Sequence, residues 1–365
     1  MTDNQNVVYT RQFALLAFIL CFTFRVSRLP PLMRQAVGSS NVFVLILYLL
    51  ADAVQFFVVY KFVATGGKEA IEDTPLYKIS GAVLFVNFFF KVFLASAGAT
   101  AFTTETLFED IEKWCVAVAL VIPATYASIK GIKTIARTAE VTSFMTFAVL
   151  ALNFVFLKVY VDFSKNLPVL DGEITEILKD GDRFFTWFGD ATPLLFLSMK
   201  PSKRNPTAVF YGLATGLVVA GFVLMNAIYG DASKYVVNLV VKVAGFNQFS
   251  DVLGRLDWTG IIVWLTLAVM YISIYLWASG EALKGLLLGK KNAVIILTAV
   301  GVLTTVIMKK DVRDMLDIVM GNARWYVAVT NYLVPVALIV FAEIEKRKSA
   351  KISRKKAEAQ SDFGT

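Results

Sequence analysis

Histidine is missing from the 365-residue sequence, which excludes the commonest proton shuttle and metal ligand among side chains. Cysteine is scarce: the 2 that occur, Cys21 and Cys115, both fall in apolar runs, where a thiol serves as a small hydrophobic group. We therefore expect no disulfide, no metal site and no cofactor. A glycine-rich phosphate loop and a catalytic triad motif are also missing, so the sequence does not predict an enzyme.

Hydrophobic residues are what the chain has most of, at 57% with a mean hydropathy of +0.64. Apolar runs of about 20 residues, the length that crosses a bilayer, recur along the sequence. They predict an all-α polytopic membrane protein with about ten transmembrane helices. The predicted spans are 11–33, 41–63, 78–101, 113–130, 134–162, 184–204, 206–229, 258–283, 292–308 and 325–344.

Much of the net charge of +8 lies after the last span, in residues 346–365. A basic segment directly beside a membrane helix is typical of a cytoplasmic tail at the lipid surface, and we prefer this interpretation to nucleic-acid binding. An even number of spans then places both termini in the cytoplasm. We expect a multi-pass protein whose partner is the lipid bilayer.

Two of the predicted spans contain residues that a plain membrane helix disfavours. Residues 188–193 include Gly189, Asp190 and Pro193, and residues 24–31 likewise pass from a phenylalanine through polar residues to proline. Glycine costs about 1 kcal/mol and proline about 3 kcal/mol in a helix interior. An ionised aspartate at mid-membrane costs at least ~2.5 kcal/mol. The sequence therefore predicts that the first and sixth helices are broken.

The spans divide evenly near Asp171, with five on each side. An odd number of spans in each half gives the second half the opposite orientation, which is the condition for an inverted repeat. We predict one transmembrane domain, 1–345, made of a first repeat at 11–163 and a second at 183–344. In each repeat the first helix is the broken one, an arrangement that indicates a transporter-type ligand site.

Several short motifs, taken in order, resemble one family. The most recognisable is a glycine, an Ile-Ala-Arg and a glutamate, at Gly131, 135–137 and Glu140. The others are Gln12, Leu29-Pro30, 36–38, 167–170, Phe188-Gly189-Asp190, 253–256, Trp264, 273–278 and 333–335. Together they make the chain similar to the spore-germination permeases, the membrane-embedded B subunits of nutrient germinant receptors.

This resemblance implies a leucine-transporter-like fold with a 5+5 inverted repeat, within the amino acid–polyamine–organocation superfamily. It also implies sensing of a small nutrient, such as an amino acid, beside A- and C-type receptor subunits in the cell membrane or spore inner membrane. The alternative is a secondary amino-acid or organocation transporter, since the same cavity serves both. The chain departs from the family pattern at Arg25 and Arg28, where small residues and glycines are usual.

At the second break, Gly189, Asp190 and Thr192 lie where an unwound helix exposes backbone groups to a cavity. A kink that neighbouring side chains satisfy is the alternative. The carboxylate of Asp190 would accept a substrate ammonium or pair with Arg25 across the repeat.

At the first break, Arg25 and Arg28 are three residues apart and share a helical face. Their guanidinium groups would take a ligand carboxylate or pair internally with an acid such as Asp52. Lys91 lies one turn after Asn87 at mid-membrane depth, where it would pair with Asp52 or supply a fixed or proton-linked charge.

The remaining candidates lie near one membrane edge or on the eighth span. Arg137 and Glu140 are expected to form a local ion pair, or else an inner gate; Tyr271 and Tyr275 are expected to pack or to line the cavity. The predicted ligand-binding residues are Phe24, Arg25, Ser27, Asn87, Lys91, Phe188, Gly189, Asp190, Thr192, Tyr271 and Tyr275. The predicted gate or structural ion-pair residues are Arg28, Asp52, Arg137 and Glu140.

Overall fold

The fold is helical and built for a membrane. A computed structural model of the protein describes residues 7–106, 111–155, 161–200, 205–236, 257–287, 289–308, 320–321 and 323–362. In this part of the chain, seven helices are long and apolar enough to cross a bilayer. The protein is therefore a multi-pass membrane protein of the all-α class, as its composition predicts.

Two short strands accompany the helices in the described residues. The α-helices are α1 (Thr10–Phe22), α2 (Leu29–Val37), α3 (Asn41–Ala64), α4 (Gly67–Ile71), α5 (Pro75–Thr106), α6 (Lys113–Lys130), α7 (Ile132–Val155), α8 (Ile174–Gly181), α9 (Thr207–Tyr229), α10 (Asp257–Lys284), α11 (Lys291–Met308), α12 (Arg324–Ala328) and α13 (Val334–Asp362). The strands are β1 (Val7–Tyr9) and β2 (Ser198–Lys200), which pair in parallel. This pairing joins the start of α1 to the segment that follows the second break.

The interruption predicted in the first span is present. Helix α1 ends at Phe22, residues 23–28 form turns, and α2 begins at Leu29 with Pro30 in its first turn. Proline is tolerated there because the first amides of a helix have no intrahelical acceptor to lose. The proline therefore starts the second half of the broken helix.

The second break differs from its predicted form. The sequence suggests a helical span over 184–204, but its described residues form two 3₁₀ segments, Asp182–Trp187 and Thr192–Phe196, followed by β2. Gly189 between them has φ of 78°, a left-handed conformation that side chains disfavour. Pro193 again lies in the first turn after the break. The residues of this break are buried, so their backbone groups need partners from other helices.

Helix α10 lies at the centre of the bundle. It packs against α5, α6, α7 and α11, and its Trp264, Tyr275 and Trp277 side chains are almost fully buried. The α5 and α10 backbones approach closely at Gly81, where an added Cβ would lie 2.3 Å from the carbonyl oxygen of Ala282. Small residues allow such contacts between membrane helices. Helix α10 also contacts the 3₁₀ segment Thr192–Phe196 of the second break.

Some sequence predictions extend past these observations. The motif at 253–256 lies outside the described residues. The count of ten spans, the two repeats and the cytoplasmic location of the termini stay predictions. Beyond the last predicted span, the chain continues as helix α13 to Asp362.

Candidate functional site

Four charged side chains meet in the core, at the two breaks. They are Arg25 in the first break, Asp52 on α3, Lys91 on α5 and Asp190 in the second break, and each is at most 8% exposed. Two cations and two anions make a cluster with no net charge. This balance matters because an uncompensated charge in a low-dielectric interior is costly.

Arg25 ties the two breaks together. Its Nη1 and Nη2 donate to the two carboxylate oxygens of Asp52 at 2.7 and 2.9 Å, and Nη2 also donates to Asp190 Oδ2 at 3.2 Å. Its Nε donates to the carbonyl oxygen of Trp187 at 3.1 Å, and the guanidinium lies 4.7 Å from the centre of the Phe188 ring. One arginine therefore bridges α3 and both sides of the second break.

Asp190 is surrounded by donors from two long helices. Lys91 Nζ donates to its Oδ1 at 2.7 Å, as do the hydroxyls of Tyr275 at 2.9 Å and Tyr271 at 3.2 Å. Lys91 also donates to the carbonyl oxygen of Thr186 at 2.7 Å. The lysine and the two tyrosines thus hold the second break against α5 and α10.

The predicted pairing of Lys91 with Asp52 is wrong, since Lys91 pairs with Asp190. Asp52 is occupied by other donors: beside the arginine, it accepts bonds from the backbone amide of Gly189 at 2.7 Å and the hydroxyl of Tyr211 at 2.9 Å. Asp52 therefore caps the unwound backbone and has its acceptor sites filled.

A chain of amides holds the other face of the second break. Asn87 Nδ2 donates to Asn331 Oδ1 at 2.6 Å, and Asn331 Nδ2 donates to the carbonyl oxygen of Phe188 at 2.9 Å. Asn331 lies in one turn of π-helix, Val329–Leu333, a feature often found at functional sites. Asn87 thus supports the break indirectly, through Asn331.

A pocket opens beside the charged cluster, with about 570 Å³ of empty space including its open mouth. Aromatic rings form part of its wall: Phe24 packs edge-on against Tyr271, with ring centres 4.9 Å apart. Arg28 donates to the carbonyl oxygen of Gly98 in the same wall, at 3.0 Å. The predicted site residues that line the pocket are Phe24, Arg25, Arg28, Lys91, Asp190 and Tyr271.

Other predicted site residues make structural contacts. The Ser27 hydroxyl donates to the carbonyl oxygen of Thr23 at 3.2 Å, and the Thr192 hydroxyl donates to that of Gly189 at 3.4 Å. Both bonds are local, within or beside a break, and satisfy backbone groups there. In the part of the chain that the structure describes, no group of three or more acids and cysteines is placed to hold a metal ion.

The predicted ion pair between Arg137 and Glu140 is wrong. Glu140 instead contacts Arg11, with Nε and Oε1 3.5 Å apart, because α1 packs against α7. This partner is distant in the sequence, so helical spacing gave no sign of it.

Three polar residues that hold the second break were missed from the sequence. Asn331 in the π-helical turn and Gln55, whose Nε2 donates to the carbonyl oxygen of Gly189 at 3.5 Å, hold it directly. Tyr211 on α9 acts through Asp52, to which its hydroxyl donates. Each is a polar residue within an apolar run. Such residues are a usable signal, because buried polar groups in membrane helices need partners inside the protein.

Comparison with known proteins identifies the family of this chain. A family model described as "spore germination protein" matches residues 81–314, which is more than half of the chain. A search among curated proteins finds no match. The matched region contains Lys91, the second break with Asp190, and the two tyrosines on α10. On the strength of this match, the protein belongs to the spore germination protein family of permease-type membrane proteins.

Proposed function

We propose that this protein is the membrane-embedded B subunit of a spore germinant receptor. It binds a small nutrient, such as an amino acid, between the broken helices 1 and 6 and signals to A- and C-type partner subunits. The observation that supports this function most is the buried cluster that joins Arg25 to Asp190 beside a pocket.

Ligand binding in the pocket beside the charged cluster can change the conformation of the two breaks. A charged ligand that competes for one member of the cluster would weaken the link between the two breaks. A ligand that binds more tightly to the conformation in which the two breaks are no longer linked shifts the protein toward that conformation. Partner subunits can detect that shift. Sensing requires only this difference in affinity between two states.

The proposal includes a leucine-transporter-like 5+5 repeat. Its support is the similarity of the two breaks, each of which is followed by a helical segment with proline in its first turn. The buried contact between the breaks is the geometry expected where two discontinuous helices meet at a central site. An experimental structure in which the two halves do not superpose after inversion would refute this part.

Replacing Asp190 with asparagine is expected to abolish the germination response to nutrients. The change removes a buried charge that Arg25 and Lys91 contact, so the cluster can no longer respond to a competing ligand. Germination of spores carrying the variant is measured with a panel of amino acids, sugars and nucleosides, alongside the amount of protein in the spore membrane.

Asp231→Asn is the matched control. Asp231 also pairs with an arginine, Arg34 at 2.9 Å, but its side chain is 91% exposed. This control should germinate normally. An unchanged nutrient response in Asp190→Asn spores with normal protein levels would contradict the proposed role of the cluster.

A secondary transporter is the second candidate. The observation that favours it is Lys91, whose ammonium contacts Asp190 at 2.7 Å and can act as a fixed or proton-linked charge in place of a coupling cation. Uptake of labelled nutrient into proteoliposomes that contain this chain alone would support transport. Binding without uptake would support the receptor.

A further inference from the structure

The acids of the charged cluster each accept four hydrogen bonds from described residues. An ionised carboxylate has about four lone-pair sites for hydrogen bonds. Asp190 accepts bonds from Lys91, Tyr275, Tyr271 and Arg25. Asp52 accepts two from the same arginine and one each from Gly189 and Tyr211. Three of the bonds to Asp190 fall on Oδ1 and one, from Arg25, falls on Oδ2. A ligand ammonium at Asp190 would therefore have to displace a donor at Oδ1 or share Oδ2 with the Arg25 guanidinium.

Backbone acceptors in the pocket wall are engaged in the same way. The carbonyl oxygens of Thr186, Trp187 and Gly98 accept bonds from Lys91, Arg25 and Arg28 respectively. Each of these carbonyl oxygens therefore already has a cationic donor, with which an amine ligand would have to share it.

Cationic side chains outnumber acids in the same wall, although Arg25 also pairs with Asp52 outside it. Three of its side chains are cationic and one is a carboxylate. An ammonium group has three N–H donors, and the contacts of Lys91 with described residues account for two of them. Arginine adds a rigid fork suited to carboxylates. The rings of Phe24, Trp187 and Tyr271 provide an apolar surface beside these donors.

We propose that the pocket recognises a small organic anion by its carboxylate, and that a ligand ammonium group adds little to affinity. This inference rests on the proposed function, because it assigns a ligand class to the same pocket. The cationic side of the wall holds the carboxylate, and the aromatic rings cover the short carbon chain.

A matched ligand series tests this directly. Full-length protein in lipid nanodiscs is titrated with L-alanine, L-lactate, propionate, L-alaninamide and ethylammonium chloride, and affinities are taken from the shift in unfolding temperature. The three carboxylates should bind within about tenfold of one another. The two amines should bind about 10- to 100-fold more weakly, the loss expected for a missing charged hydrogen bond.

Substitution of Arg28 tests whether the carboxylates bind in this pocket. Arg28→Gln should weaken carboxylate binding about tenfold or more, and Arg28→Lys should recover part of it. Arg34→Gln is the control, because Arg34 is a buried arginine that lies outside the pocket wall. Its carboxylate affinities should equal those of the unmodified protein. The ligand series on the unmodified protein decides the question if a variant fails to fold.

The outcomes separate this inference from the proposed function. Binding of the amines without lactate or propionate would overturn the inference and leave the proposed function standing. No shift with any compound would overturn the inference, whereas the proposed function is tested separately by the germination response of Asp190→Asn spores. An equal shift in unfolding temperature with sodium chloride or sodium phosphate would show that the pocket binds any anion and does not recognise a carboxylate. This result would also overturn the inference.

Discussion

Arg25→Gln is expected to lower the free energy of unfolding by about 3–5 kcal/mol, the cost of breaking a buried ion pair from one side. Arg25 and Asp52 are each 1% exposed, so water cannot compensate for the lost charge. The variant leaves two carboxylates with one lysine and gives the core a net negative charge. Unfolding in detergent micelles, followed by tryptophan fluorescence as SDS is added, measures the loss.

Arg324→Gln is the matched control. Arg324 contacts Asp182 at 2.9 Å, but the two side chains are 33% and 35% exposed. Partly solvated pairs contribute roughly 0–1 kcal/mol, so this variant should unfold almost like the unmodified protein. Equal losses in the two variants would contradict a special role for burial.

The double variant Arg25→Gln/Asp52→Asn extends the test. It removes one charge of each sign and leaves Lys91 paired with Asp190, so the core is neutral again. It should therefore be more stable than the sum of the two single losses predicts, because residues in direct contact are not additive. Strict additivity would show that the two charges do not interact.

Gly189→Ala is expected to destabilise the protein by about 2–4 kcal/mol, combining left-handed backbone strain with a lost buried hydrogen bond. Its φ is 78°, and an added Cβ would lie 2.5 Å from Cβ of Asn331. Asn331 must then move, and the carbonyl oxygen of Phe188 loses its donor. The same unfolding assay measures the change, and the affinity for the best carboxylate should fall with it.

Gly212→Ala provides the comparison. Gly212 lies inside α9, and a Cβ there meets nothing within 4 Å. Alanine in a helix interior is about 0.5–1 kcal/mol more favourable than glycine, so this variant should be as stable as the unmodified protein or slightly more so. If Gly189→Ala behaved the same way, the second break would not need its present backbone conformation.

The positions of the two breaks could be predicted from the sequence because their causes are local. Proline, glycine and charge inside an apolar run are each unfavourable for a helix, whatever surrounds them. The form of the second break could not be predicted in this way. Its 3₁₀ segments depend on partners for Phe188 and Gly189 that other helices supply.

The pairing of charges was harder to predict. Lys91 was expected near Asp52 but contacts Asp190, which is 99 residues away in the sequence, and Glu140 contacts Arg11 in place of Arg137. Helical spacing identifies neighbours on one helix only. The partners here come from separate elements, and tertiary packing alone brings those elements together.

The sequence by itself determined that this is a multi-pass membrane protein with two interrupted segments, because hydropathy and helix propensity are sums of local terms. Only the tertiary structure decided which charges meet and how many donors each acid receives. Whether a carboxylate has room for a ligand cation depends on distances between side chains from several helices. The number of donors at Asp52 and Asp190 is therefore a property of the folded protein, and the proposed preference for a ligand carboxylate rests on it.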